Sequence, residues 1–352
     1  MSNRNAPAGR ALTRLFRGPW LFQLVFIAGV IAFAAWRVNF EDVGAAFRDA
    51  RYAWIALALF IYAVARIVHT FEWQITLTKV GRAPFGGLLG ALLIGSLVNS
   101  VIPASAGDVA KVQIVANRYG LSRTGLITGR GAEGIVNGAT LVIFLLISLA
   151  LPATGFGSQK LLILLAVTTL IVFVAAAVGS NLMPAELPSW RVVEALPRPP
   201  RDAFRHMWPR FHAGLEVIRQ PRLLLIAVVL NLFGWLVDLG ILWSYGQAFR
   251  LHLPFAAYLS VTVAVAIVTI FPLTFGNIGT YELVLLRVLT LYDVPADRAL
   301  AFAIGTHAIG TLFVMLLGGA AMAIMGIRPS ELFSLRRSEE RPAAEAVEAD
   351  TR

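Results

Sequence analysis

Two places in the sequence bring a proline, a glycine and an acidic side chain close enough together to build a binding site. The first runs Asn99-Ser100-Val101-Ile102-Pro103-Ala104-Ser105-Ala106-Gly107-Asp108, with Lys111 one turn further on. The second runs Phe271-Pro272-Leu273-Thr274-Phe275-Gly276-Asn277-Ile278-Gly279, with Glu282 three residues later. In each, proline stops a helix, and glycine tolerates backbone angles closed to other residues. The acidic residue then falls in the first turn of the next helix, where it complements the positive end. The free N–H groups of such a half-helix are also a natural site for phosphate. Capping alone accounts for Asp108 and Glu282. Lys111, one turn on, can meet either a bound anionic group or Asp108 itself.

Further ionisable residues lie inside apolar runs: Arg66, His69 and Glu72, then Arg130 and Glu133, then Asp238, Arg287 and His307. A charged side chain at the centre of a bilayer costs about 2.5–3.5 kcal/mol on insertion scales, so it carries a partner or a task. Arg66, His69 and Glu72 are spaced three apart and share one helix face. They read either as a functional stripe led by Arg66 or as a group that ends at the membrane interface. Arg130 and Glu133 form either a self-contained ion pair or part of a larger site. Asp238 has no local partner and is expected to face the interior of a bundle, whereas a lone histidine such as His307 is more often a satisfied core residue. The signs nearly balance, which permits internal pairing.

Catalytic patterns are missing. There is no phosphate loop, no Gly-x-Ser-x-Gly and no paired-histidine metal spacing, and the five histidines are scattered. The chain has no cysteine, which excludes thiolate metal sites and disulfides. We therefore expect no catalytic residue, no metal and no cofactor.

The elements that must position these residues belong to a membrane. Hydrophobic residues make up 58% of the 352 and charged ones only 14%, with a mean hydropathy of +0.73. A soluble chain averages about 25% charged residues. Apolar stretches long enough to cross ~30 Å of hydrocarbon fall at 20–36, 52–73, 124–151, 160–179, 223–249 and 299–325. The stretch 20–36 follows Arg10, Arg14 and Arg17 but shows no small-residue cleavage pattern, so it reads as a retained span. Two more, 84–101 and 255–271, run into the proline–glycine breaks and resume as short helices at 108–119 and 279–292. Backbone freed at a break inside lipid must be satisfied by protein or by a water-filled cavity. The predicted fold is all-α and polytopic, with about six full spans and two broken or re-entrant hairpins. Two ordinary pairs of spans are the alternative to those hairpins.

Net charge is +10, but the charges are spread between apolar runs, which argues against nucleic acid and for anionic lipid. With a cytoplasmic N-terminus, twenty Lys and Arg fall in inside segments and six in outside loops. The positive-inside rule then puts both termini in the cytoplasm of a cell (inner) membrane. The hairpins enter from opposite sides, a weak inverted repeat of the kind that places transporter substrates where broken helices meet. Residues 1–19 form a basic cytoplasmic segment and 20–325 the membrane domain. Its loop 180–222 reads either as an amphipathic surface helix over 201–218 or as a plain basic tether, and 326–352 as a disordered tail.

At the two breaks the sequence resembles the lysylphosphatidylglycerol synthase transmembrane (flippase-like) family. Residues Asn99 to Lys111 are similar to its Asn-x-x-x-Pro-x-x-x-Gly-Glu-x-x-Arg signature, with Asp108 and Lys111 where Glu and Arg are usual. Charge is kept, but bidentate phosphate binding is not. Arg130 with Glu133 resembles its Arg-x-x-Asp element, and Pro272 to Glu282 its second signature. His307 stands where members often carry Arg. The resemblance covers roughly residues 20–325 and lacks the family's C-terminal aminoacyl-transfer domain. It implies a flippase-like protein that binds or moves a phospholipid, a polyprenyl-phosphate-linked sugar or a hopanoid-type lipid.

The substrate-binding set is then Asn99, Pro103, Gly107, Asp108, Lys111, Arg130, Glu133, Pro272, Gly276, Gly279 and Glu282, with Arg66, Asp238 and His307 as secondary candidates. The rival readings are a membrane-embedded transferase, or an accessory subunit of an enzyme acting on a lipid-linked donor. A glycosyltransferase or lipid synthase is then the expected partner, docked through 180–222, and a homo-oligomer is compatible with either.

Overall fold

The computed structural model describes residues 44, 47–101, 106–151, 159–182, 198–270 and 274–328. The expected span 20–36, Pro103, Pro272 and the tail beyond 328 lie outside the described residues. What is described is helical, with no strand among these residues. Four helices are long and apolar enough to cross a membrane: α1 (Tyr52–Thr76), α4 (Arg123–Ala150), α8 (Pro221–Ala248) and α11 (Ala296–Met325). At 1.5 Å per residue they extend ~37–45 Å. Another helix, α5 (Gln159–Leu182), falls on the expected span 160–179, with a shorter apolar stretch over Ala166–Leu182. The protein is thus an all-α, multi-pass membrane protein.

Its surface agrees with this. Phe60, Leu164, Ile171, Leu225, Leu312, Leu316 and Ile324 are each at least 60% exposed. In water such a belt would drive aggregation; in lipid it is the solvated face. Contacts between spans are made where side chains are small, because dispersion rather than the hydrophobic effect holds helices together in a bilayer. The most extensive interface joins α1 to α8. There Ala58 and Ala65 are fully buried, and a Cβ at Gly234 would lie 3.0 Å from the His69 ring.

The two breaks form two helical hairpins. In the first, α2 (Phe85–Val101) packs on α3 (Ala106–Tyr119); in the second, α9 (Phe255–Ile270) packs on α10 (Thr280–Thr290). A single 3-10 turn, Phe275–Asn277, begins the return of the second. Neither α3, at 14 residues, nor α10, at 11, reaches ~30 Å. The hairpins occupy opposite ends of the bundle. The core around α2 and α3 takes in Trp73 and Leu77 from the far end of α1, with Ala321 and Met322 from the far end of α11. The core around α9 and α10 takes in Ile55 and Ala58, with Ala299 to Ala303, from the near ends of the same helices. This is the placement expected of an inverted pair.

The breaks are built differently. At the second, Gly276, Asn277 and Gly279 have φ of 52°, 61° and 86°. These left-handed angles explain the two glycines. At the first, the expectation of an unusual angle at Gly107 is corrected: Gly107 lies within α3 and is not among the positive-φ residues. Its requirement is steric. A Cβ there would collide with the carbonyl oxygen of Gly95, and one at Gly95 would sit 2.8 Å from that of Gly107. The Gly107 amide donates to Asn99 Oδ1 at 2.6 Å, so Asn99 fastens the hairpin across its tip.

In the region 180–222, residues 183–197 lie outside the description, but α6 (Arg198–Gly214) and α7 (Glu216–Arg219) are helical. The segment is thus helical rather than a plain tether, though its aromatic side chains meet protein and not the headgroup layer expected of a surface helix. Trp208 is buried and Phe211 packs in the cluster formed with Ala132 and Val136 of α4, while Arg205 and Arg210 are exposed. The aromatic face of α6 therefore rests on protein.

Candidate functional site

α1 presents Arg66, His69 and Glu72 on one face, and α8 answers with Asn231 and Asp238. The Arg66 guanidinium lies 3.7 Å from Asp238 Oδ1, and its other face covers the Tyr62 ring at 4.5 Å. His69 bridges two carboxylates, with Nε2 3.2 Å from Asp238 Oδ2 and Nδ1 3.4 Å from Glu72 Oε2. Glu72 is only 5% exposed and accepts at 2.7 Å from Asn231 Nδ2. Glu72 is therefore packed between α1 and α8 rather than open to solvent, with its charge met by hydrogen bonds across helices.

α3 and α4 supply the second half. Asp108 Oδ1 takes both Lys111 Nζ and Arg130 Nε at 3.2 Å. Glu133 Oε2 sits 3.5 Å from Arg130 Nη1 and 3.9 Å from Lys111 Nζ, and its other oxygen accepts from Thr76 of α1 at 3.3 Å. Arg130 and Glu133 are thus not a self-contained pair; they tie the first hairpin to α4 and α1. Lys111 also lies over the Trp73 ring at 5.0 Å.

These groups surround one cavity of ≈ 240 Å³. Asn99, Gly107, Asp108, Lys111, Arg130 and Glu133 all line it, and so do Arg66, His69 and Glu72. Arg130 is the most open, with 43% of its side chain exposed, against 12% for Lys111 and Glu133. Two buried polar atoms in this wall have no partner, Arg66 Nε and Asn231 Oδ1. A buried donor and acceptor left unmade cost roughly 1–3 kcal/mol each, a cost that a ligand with both kinds of group would relieve.

A second cavity of ≈ 540 Å³ abuts the first and shares Arg66, His69 and Asn137 with it. Its lining is more apolar, with Asp238, His307, Tyr245 and Tyr281 among Leu and Val side chains. Gly276 of the second break and Ser100 at the end of α2 border it. A Cβ at Gly276 would lie 3.0 Å from the Ser100 carbonyl, so the tips of the two hairpins touch.

Not every candidate reaches a cavity. Glu282 Oε2 accepts from the Gly279 amide at 2.6 Å, and Glu282 Oε1 lies 2.6 Å from His307 Nδ1. Glu282 and Gly279 shape the turn, and neither lines either of these two cavities. Arg287 is exposed. Among the described residues, no cluster of three or more His, Asp or Glu side chains is arranged to hold a metal ion.

The residues passed over are Asn137, Asn231, Trp73 and Tyr281. A signal existed for two of them. Asn137 continues the face of Arg130 and Glu133 at a helical spacing of four, and Asn231, Trp235 and Asp238 are spaced four and three on α8. Trp235 Nε1 donates to Asn137 Oδ1 at 2.7 Å, closing the wall between α4 and α8.

A helical membrane bundle, with two broken hairpins meeting at charged cavities among its spans, is the class these features define. The family model for the lysylphosphatidylglycerol synthase TM region matches residues 20–318, and the chain belongs to that family. It is therefore a multi-pass membrane protein of a lipid-handling family. No curated protein matches it.

Proposed function

We propose that the protein binds the polar headgroup of a phospholipid or lipid-linked intermediate in the charged cavity and moves it across the membrane. One observation carries this reading: seven ionisable side chains from three helices line a single cavity inside a bundle with an apolar outer belt. Holding so many charges away from bulk water is costly, so they carry partners or a task, and Arg66 keeps a buried donor that its partners do not take up. The hairpins enter from opposite faces and leave by the same faces, with the basic loops in the cytoplasm. Arg130 is the first contact for a headgroup phosphate, because it is the most exposed cation of the cavity. Lys111 and Arg66 share Asp108 and Asp238 until the phosphate competes for them.

The test is reconstitution in vesicles carrying fluorescent phospholipids of several headgroups, with quencher access read from one side. Wild type should accelerate exchange of at least one headgroup, and Arg130→Ala should abolish it while leaving the folded fraction intact. Rates equal to empty vesicles for every headgroup would remove the proposal.

A further inference from the structure

The second break is fastened through one histidine. His307 of α11 places Nδ1 2.6 Å from Glu282 Oε1 and Nε2 2.9 Å from the carbonyl oxygen of Gly276. Both neighbours are acceptors. Both hydrogen bonds form only if the His307–Glu282 pair holds one proton beyond neutral imidazole plus carboxylate. Whether that proton rests on the ring nitrogen or the carboxyl oxygen, the count is the same. Without it, a ring lone pair faces either the carboxylate or the carbonyl at hydrogen-bond distance, in surroundings poor in water.

The consequence reaches the backbone. Glu282 is the group that holds the Gly279 amide, and Gly276 is the other left-handed glycine of the turn. One proton therefore completes the fastening on both sides of the break. From α10, His307 meets Glu282 and the neutral Tyr281, whose ring is 4.8 Å away and whose hydroxyl pairs with Thr306. From the first hairpin the neutral Ser100 borders the turn, and across the larger cavity His307 shares its wall with Arg66 and His69 of α1 and with Asp238 and Tyr245 of α8. His307 lines the larger cavity with 15% of its side chain exposed, which gives the proton a route in and out. His69 also bridges two acceptors, but on unbroken helices, where losing a proton frees no hinge.

We propose that His307 with Glu282 is a proton-binding site that couples lipid movement to a proton: loaded, it locks the second hairpin; unloaded, it releases it. The lipid half of this rests on the function proposed above, and the hinge half does not.

The deciding experiment is hydrogen exchange over residues 274–290 of the full chain in nanodiscs, at about pH 5 and about pH 8, the span over which histidine ordinarily titrates. After correction for intrinsic exchange, wild type should lose protection several-fold at the higher pH. His307→Arg, which keeps donors but releases no proton, should not. Glu282→Gln gives a second check should the arginine variant fold poorly. A glutamine amide donates to a neutral ring and its oxygen still accepts from Gly279, so protection should be insensitive to pH. Unchanged protection in wild type, or the same loss in both variants, overturns the proposal. In vesicles with fluorescent phosphatidylglycerol, an imposed pH gradient should speed wild-type movement several-fold, and His307→Arg should lose that response. Movement indifferent to the gradient overturns the coupling and spares the lipid reading. A label that never moves counts against the lipid reading, while exchange still decides the hinge.

Discussion

Asp108 and Arg130 face each other yet differ in what their loss would do. Asp108 neutralises two cations at 3.2 Å, Lys111 and Arg130, so Asp108→Ala leaves both to share Glu133 alone in a cramped wall. We expect a cost of ~2 kcal/mol, after allowing for partial exposure, read as a lower thermal midpoint in detergent. The double variant Asp108→Ala/Lys111→Ala should recover part of it, because one stranded charge goes with the other. Arg130→Ala leaves Asp108 paired with Lys111 and should change the midpoint by less than ~1 kcal/mol while stopping lipid movement. At α8, Asp238→Asn removes the anion that Arg66 and His69 share. It should slow lipid movement by an order of magnitude or more, since Arg66 then turns into the cavity as a fixed trap for phosphate.

At the scale of the element, the two hairpins obey different constraints, and substitutions should separate them. Gly107→Ala forces α3 off α2 and strains the Asn99 clasp, a collision that costs about 1–3 kcal/mol by overpacking. Gly276→Ala meets a left-handed backbone, worth about 1–2 kcal/mol, and in addition the Ser100 carbonyl. Chemical denaturation in detergent should show both variants less stable, and Gly107→Asn should be no better than Gly107→Ala. Gly276→Asn should recover part of its loss, because asparagine tolerates positive φ. The breaks themselves were legible because proline and glycine act locally. The role of Gly107 was misread because its constraint is the Gly95 carbonyl, twelve residues back and across a turn. Asn137 and Asn231 share helix faces with charged residues, but spacing along one helix does not show what each amide touches on the next, Trp235 for Asn137 and Glu72 for Asn231. The pairings of Asp238 and of Arg130 were open for the same reason: sequence spacing reports neighbours on one helix and is silent about the next.

For the whole molecule, α1 and α11 run the length of the bundle from one hairpin core to the other. The turns that follow the hairpins should then face opposite sides of the membrane. The chain has no cysteine, so single probes report without background. Arg118→Cys, exposed in the last turn of α3, should react with an impermeant maleimide only from the cytoplasmic side. Arg298→Cys, exposed after the second, should react only from the outer side. Labelling of both from one side would contradict the inverted arrangement.

The wall between the two cavities is not inert partition: Arg66 and His69 belong to both chambers and are held there by Asp238. A headgroup moving between the chambers by the proposed route would have to part these side chains, and parting them separates Arg66 from Asp238. An anionic visitor supplies the missing counter-charge at that instant, whereas a neutral one of equal size does not. Under the proposed lipid movement, this doorway would discriminate while it opens, making selectivity and permeation a single event rather than consecutive ones.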